Sequence, residues 1–141
     1  MKLICQLFFV FVIVSSCKSQ KINDFSTSSI TYTAHSRGLY LSVWVEKNKV
    51  WITKNRNEKP QEVVLNKQET KELTTAFAAL NLDKIPTLKA PTAKRLYDGA
   101  AIANLAIISS GKPFNSKSFD HGFPPIPIEK IVTLLVSYTE K

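Results

Sequence analysis

Residues Leu39 to Lys54 read LYLSVWVEKNKVWITK, and their period decides the fold. Leu39, Leu41, Val43 and Val45 alternate with polar or aromatic residues, as a half-buried strand requires. Only Lys47-Asn48-Lys49 separates this run from Val50 to Lys54. If Lys47-Asn48 form a two-residue hairpin loop, with Asn48 supplying positive φ, the cross-strand pairs are Val45 with Val50, Trp44 with Trp51, and Val43 with Ile52. Aliphatic side chains then share one face and both indoles the other. A slip of one residue would exchange every side chain between faces.

Working outward, Ile30 to Ala34 (ITYTA) alternates in the same way, and His35 to Gly38 (HSRG) reads as a turn between two strands. After the hairpin, the polar stretch NRNEKPQE leads to a helix. Asn66 and Glu69 have capping-box spacing, and Leu73, Ala76, Phe77 and Leu80 recur at i, i+3, i+4 and i+7, with Asn81 and Pro86 as stop signals. The loop LDKIPTLKAPTAKRLYDG follows. Ala100 to Ser109 is apolar on both parities apart from Asn104, as a central strand covered on both sides would be. Ser110-Gly111 turns it into an edge strand, Pro113 to Asp120, which opens on proline. In the last segment Ile128, Ile131, Leu135 and Tyr138 fall at helical spacing, and Pro127 sits where a first turn tolerates it. These elements predict one α+β domain over 30–141: a mainly antiparallel sheet of about five strands with two helices, in the order βββ-α-ββ-α.

The N-terminus, MKLICQLFFVFVIVSSCKSQ, has a different grammar. One positive residue, Lys2, precedes an apolar run from Leu3 to Val14. That run is too short to span a bilayer, which needs about 20 residues, so residues 1–16 read as an export signal. The tetrad Val14-Ser15-Ser16-Cys17 resembles the lipobox of bacterial lipoproteins. That resemblance implies cleavage before Cys17 and a diacylglycerol thioether on its thiol, with Lys18 rather than Asp after the Cys implying the outer membrane, facing the periplasm. The only other cysteine, Cys5, would leave with the signal, so no disulfide is expected in the mature chain. Residues 17–29 then form a polar, Ser-rich tether reaching roughly 20 Å.

Composition narrows the function classes. The formal charge of +8 comes from 19 Lys and Arg against 11 Asp and Glu, scattered with no basic run longer than Lys94-Arg95. Such a spread attracts anionic surfaces generally, without the clustered footprint that nucleic-acid binding needs. There is no H-x-x-x-H, G-x-S-x-G or phosphate-loop motif, and the two histidines lie far apart in sequence. No cofactor and no metal is therefore expected. A polar ligand site would have to be assembled from separate loops carrying His35, Arg37, Lys94, Arg95, Asp98, Asp120 and His121. In FDHGFPP (119–125), Asp120 followed by His121 could trade a proton, but Gly122 and the prolines make a change of direction the simpler reading. Asp120 would then bond backbone N–H groups two residues on. Asp98-Gly99 reads the same way.

The segments HSRG, APTAKRLYDGA and FDHGFPP, in this order on a short lipoprotein, resemble a group of small Gram-negative envelope lipoproteins that has no assigned activity. The resemblance implies a class and no mechanism.

Two functions follow. The first is a non-catalytic, lipid-anchored binding module, with no enzyme activity, whose Tyr40, Trp44 and Trp51 face meets an envelope protein or an anionic envelope component; that face could instead be covered by the second helix. The alternative is a small envelope hydrolase or metal-binding protein using His35, Asp120 and His121. Export itself is directly testable. The mature protein should start at an acylated Cys17, and intact mass of the detergent-extracted protein reads this out; Cys17→Ser should leave the chain unprocessed or soluble.

Overall fold

The computed structural model describes residues 24–141. Cys17 and the export signal lie outside the described residues. The strands are β1 (Ser29–His35), β2 (Tyr40–Glu46), β3 (Lys49–Thr53), β4 (Gln61–Val63), β5 (Ile102–Ser109), β6 (Lys112–Asn115) and β7 (Phe119–Asp120). Helix α1 (Lys67–Ala78) lies between β4 and β5, and α2 (Ile126–Ser137) follows β7. All pairings are antiparallel, in the order β4-β3-β2-β1-β5-β6, with β7 also paired to β5. The architecture is α+β, but the order is ββββ-α-βββ-α, with two strands more than expected.

The hairpin has the register read from its period: Val43 faces Ile52, Trp44 faces Trp51 and Val45 faces Val50. Both loop residues, not Asn48 alone, take positive φ, Lys47 at 50° and Asn48 at 62°. A two-residue loop of this kind matches the right-handed twist of its strands. Ser110 and Gly111 repeat the device between β5 and β6, at φ 51° and 73°.

Burial is one-sided. Ile30, Tyr32 and Ala34 of β1, Leu41, Val43 and Val45 of β2, Val50 and Ile52 of β3, and Ala103, Leu105 and Ile107 of β5 all join one buried cluster. Leu73, Ala76 and Phe77 of α1 and Ile128, Ile131, Val132 and Leu135 of α2 complete the same cluster. Both helices thus cover one face of the sheet, and among the described residues the reverse face is open. At about 1.5–3 kcal/mol for each fully buried aliphatic or aromatic side chain, this period-2 pattern holds the register far more firmly than the turns do.

Several expectations are corrected. Strand β5 is not covered on both sides: Ile102 and Ile108, on its outer parity, are exposed. The edge expected over Pro113 to Asp120 is two strands, because residues 116–118 lie opposite only 104 and 105 of β5 and the ladder is broken at Ser116. Its N–H still bonds Leu105 O, and its hydroxyl accepts the Leu105 N–H. Strand β4 follows Pro60 and pairs only along the edge of β3, with Glu62 bridged to Lys49; so short a segment has no readable period. Residues 24–29 belong to the fold and not to a tether, since Phe25 is buried edge-on against Phe77 and Ser29 opens β1. Helix α1 does start with a capping box, Asn66 and Glu69 exchanging side-chain bonds with each other's N–H at 2.9 and 2.8 Å. It ends at Ala78, short of Asn81 and Pro86. Lys141 closes the fold by pairing with Glu69.

Positive φ at both loop residues has a measurable consequence. A β-branched side chain is strained there by about 1–2 kcal/mol, so Asn48→Val should lower the urea midpoint of unfolding. Lys47→Asn with Asn48→Gly, which suits both dihedrals, should raise it.

Candidate functional site

Two loops, Ala90–Ala100 and Phe119–Pro125, meet at the end of the sheet where β1 finishes and β5 begins. Ile102 of β5 pairs with His35 on one side and Asp120 on the other, so Asp120 arrives at the edge of the sheet with its side chain on the outer parity. A single turn of 3-10 helix, Lys94–Tyr97, lies against it. The residue before that turn, Ala93, has no side chain able to cap it. Asp120 supplies the cap from 26 residues away in sequence.

Asp120 is fully buried. The Thr92 hydroxyl and the Lys94 N–H, at 2.7 Å, donate to its Oδ2; the Arg95 N–H and the Arg95 guanidinium, each at 3.0 Å, donate to its Oδ1. A carboxylate has about four acceptor positions, and here all are occupied. Burial pushes the Asp120 pKa up, but these bonds from Thr92, Arg95 and Lys94 outweigh it and hold the carboxyl well below the usual carboxylate range. The bond pattern differs from the expectation of a local turn. The backbone carbonyl of Asp120, not its carboxylate, takes the Phe123 N–H at 2.9 Å, and Gly122 provides the positive φ of 85° in that turn. The Lys94 ammonium sits 3.9 Å from the Phe123 ring centre, fastening the two loops a second time.

His121 points the other way, as neighbours on an extended strand do. Its Nδ1 lies 2.6 Å from the hydroxyl of Tyr32, a core residue of β1. Burial raises the Tyr32 pKa, keeping the phenol protonated. The phenol has no other partner among the described residues, so it donates to Nδ1, and the imidazole proton sits on Nε2. Burial also lowers the His121 pKa, so the ring is neutral near pH 7.

The remaining candidates are dispersed. His35 stands on the open face opposite Tyr40, on the other side of the sheet from His121. Arg37 lies in the Ser36–Leu39 turn. Asp98 is exposed and takes φ 57° to end the 3-10 turn, while Gly99 is small because a Cβ there would come within 3.2 Å of Lys94 O. Of the polar set, Lys94, through its backbone N–H, and Arg95 are the ones that bond the Asp120 carboxylate. Among the described residues no group of three His, Cys, Asp or Glu could hold a metal ion.

The open face carries the aromatic candidates. Trp44 and Trp51 stack with ring centres 4.7 Å apart and planes at 28°, and Trp44 is 39% exposed. The same cross-strand row continues through Thr31 and Ala106. Tyr40 shares their parity but belongs to a different neighbourhood, where the Arg56 guanidinium covers its ring at 5.4 Å. Periodicity missed Thr92, whose hydroxyl acts across the fold, and missed Lys54 and Arg56, which sit in loops without a pattern.

No family profile, curated protein or solved structure matches this chain. Among the described residues no helix is long and apolar enough to cross a membrane.

The buried carboxylate and the neutral imidazole make stability acid-sensitive in two windows. His121, with a depressed pKa, favours folding while neutral, so stability declines as pH falls below the ordinary value of 6.5. Asp120, also depressed, favours folding while ionised, so its contribution is complete above 3.8 and is lost below that. Asp120→Asn should lower stability by about 2–3 kcal/mol at pH 7 and flatten the lower window. His121→Gln should flatten the upper one, as read by urea titrations across pH.

Proposed function

We propose that this chain is a non-catalytic binding module whose contact surface is the open face of the sheet around Trp44 and Trp51, held at the bacterial outer membrane by a lipid on Cys17 and facing the periplasm. One observation carries the reading: two indoles are stacked on the face that neither helix covers. Stacking and the antiparallel register fix both rings, so a partner would order little that is not already ordered. Ile108, exposed two positions along β5 from Ala106 in the indole row, extends the apolar area. Thr31, Thr33, Ser42 and Asn104 lie half-exposed beside it and offer polar contacts.

This reading suits an envelope protein or another envelope component that lays a flat apolar surface on the sheet. A hydrolytic or metal-dependent role for His35, Asp120 and His121 draws no support from their placement. It needs three groups aimed at one point, whereas the imidazoles lie on opposite sides of the sheet and every Asp120 acceptor is engaged.

The test combines accessibility and binding. In the detergent-extracted full chain, acrylamide should quench Trp44 fluorescence, measured in Trp51→Phe. A partner cross-linked in isolated envelopes should be lost in Trp44→Ala and kept in His121→Ala, both variants retaining the far-ultraviolet spectrum of the wild type. Full shielding of Trp44, or a partner indifferent to its removal, would overturn the reading.

A further inference from the structure

The loops at the far end of the first hairpins enclose a second feature. The Ser36–Leu39 turn between β1 and β2 and the segment leaving β3 form an open groove of about 690 Å³. It is lined by Arg37, Tyr40, Lys54, Asn55, Arg56 and Asn57, among others, and by no carboxylate. The size is that of a small-molecule site and not of a single-ion niche.

Its charge is uncompensated. The salt bridges among the described residues engage Lys49, Arg95, Lys112 and Lys141; Arg37, Lys54 and Arg56 have no acidic partner. The nearest carboxylate on the same loop, Glu58, is bonded by the Asn55 side-chain amide at 3.4 Å. Arg56 is steered instead by the Tyr40 ring, which leaves the edge of its guanidinium unused. Three cations gathered without a counter-charge repel one another and persist most easily where an anion completes them. Two guanidinium forks and one ammonium match the tetrahedral oxygens of a phosphate ester better than a single flat carboxylate.

We infer that the groove between the β1–β2 turn and the loop after β3 binds a phosphate ester, with Arg37, Arg56 and Lys54 contacting the phosphate and Asn57 and Tyr40 facing the neutral body it is attached to. The site is independent of the indole pair. Trp44 lies four residues beyond Tyr40 along β2, and its cross-strand neighbours, Thr31 and Trp51, do not line the groove. The same chemistry is offered by a soluble phosphorylated molecule and by a phospholipid headgroup.

Isothermal titration of the full chain in a neutral detergent with glycerol 3-phosphate, and with micelle-soluble dihexanoyl phosphatidylglycerol against dihexanoyl phosphatidylcholine, distinguishes these sources. Binding of glycerol 3-phosphate assigns a soluble ligand. Selective binding of the phosphatidylglycerol in its absence assigns a headgroup. In either case Arg37→Gln with Arg56→Gln should weaken binding at least 10-fold, Lys54→Gln should weaken it less, and Trp44→Ala should leave it unchanged. Rising salt should reduce it steeply. If neither probe binds, or if the double variant binds as the wild type does, the site is overturned. If Trp44→Ala abolishes the binding, the phosphate is being read by the open face and the groove has no part in it.

Discussion

One-sided burial governs this molecule. Residues of one parity in β1, β2, β3 and β5 enter a single cluster with both helices, so each strand is pinned by several apolar contacts at once. No strand can shift by one residue without moving its aliphatic side chains into water and its Trp, Thr and Ser residues into the core. The open face follows from the same constraint. Two helices of 12 residues each suffice for one face of the sheet, and their contact with each other leaves neither to cover the reverse. Stacked indoles and exposed isoleucines remain there because nothing among the described residues is placed to bury them.

At the end of the sheet a polar constraint takes over. The segment between α1 and β5 has few apolar anchors after Leu82 and Ile85, and its 3-10 turn has no cap of its own. Asp120 holds it through bonds to Thr92, Lys94 and Arg95. A buried, hydrogen-bonded carboxylate beside a guanidinium is a feature often associated with chemistry, yet here its full set of donors makes it a structural clamp. The same saturation keeps Asp120 from serving as a base. His121, one residue on, is turned into the core by the strand's alternation and satisfies a tyrosine hydroxyl that would otherwise be buried unpaired. The DHG sequence therefore gathers two polar duties that are adjacent along the chain and opposite in space.

The two surfaces proposed to bind ligands differ in character. The indole face is flat and half apolar, lying across the middle of the sheet. The groove lies in loops at one end and is cationic. Their separation means that one domain presents an apolar and an electrostatic surface whose contributions to any binding event can be dissected independently.

Local periodicity determined much of this protein. The hairpin register, the side of the sheet each aliphatic takes, the capping box of α1 and the buried stripe of each helix all depend on residues a few positions apart, where a period of two or 3.6 leaves a visible pattern. The same period placed Trp44 against Trp51. It could not say whether a helix would cover them, because that depends on where α2 packs. Strand β4 and the division between β6 and β7 were hidden for a related reason, since they exist only as edges that find a partner in β3 or β5. The site was less legible still. FDHGFPP and APTAKRLYDGA each read as punctuation, and their meeting is a contact between Asp120 and residues 25 to 28 positions earlier. The cationic groove joins Arg37 to Lys54 and Arg56 across a hairpin. Only the tertiary structure decided which charges would be paired and which would be left open, because charge pairing depends on distance in space and leaves no period in the sequence.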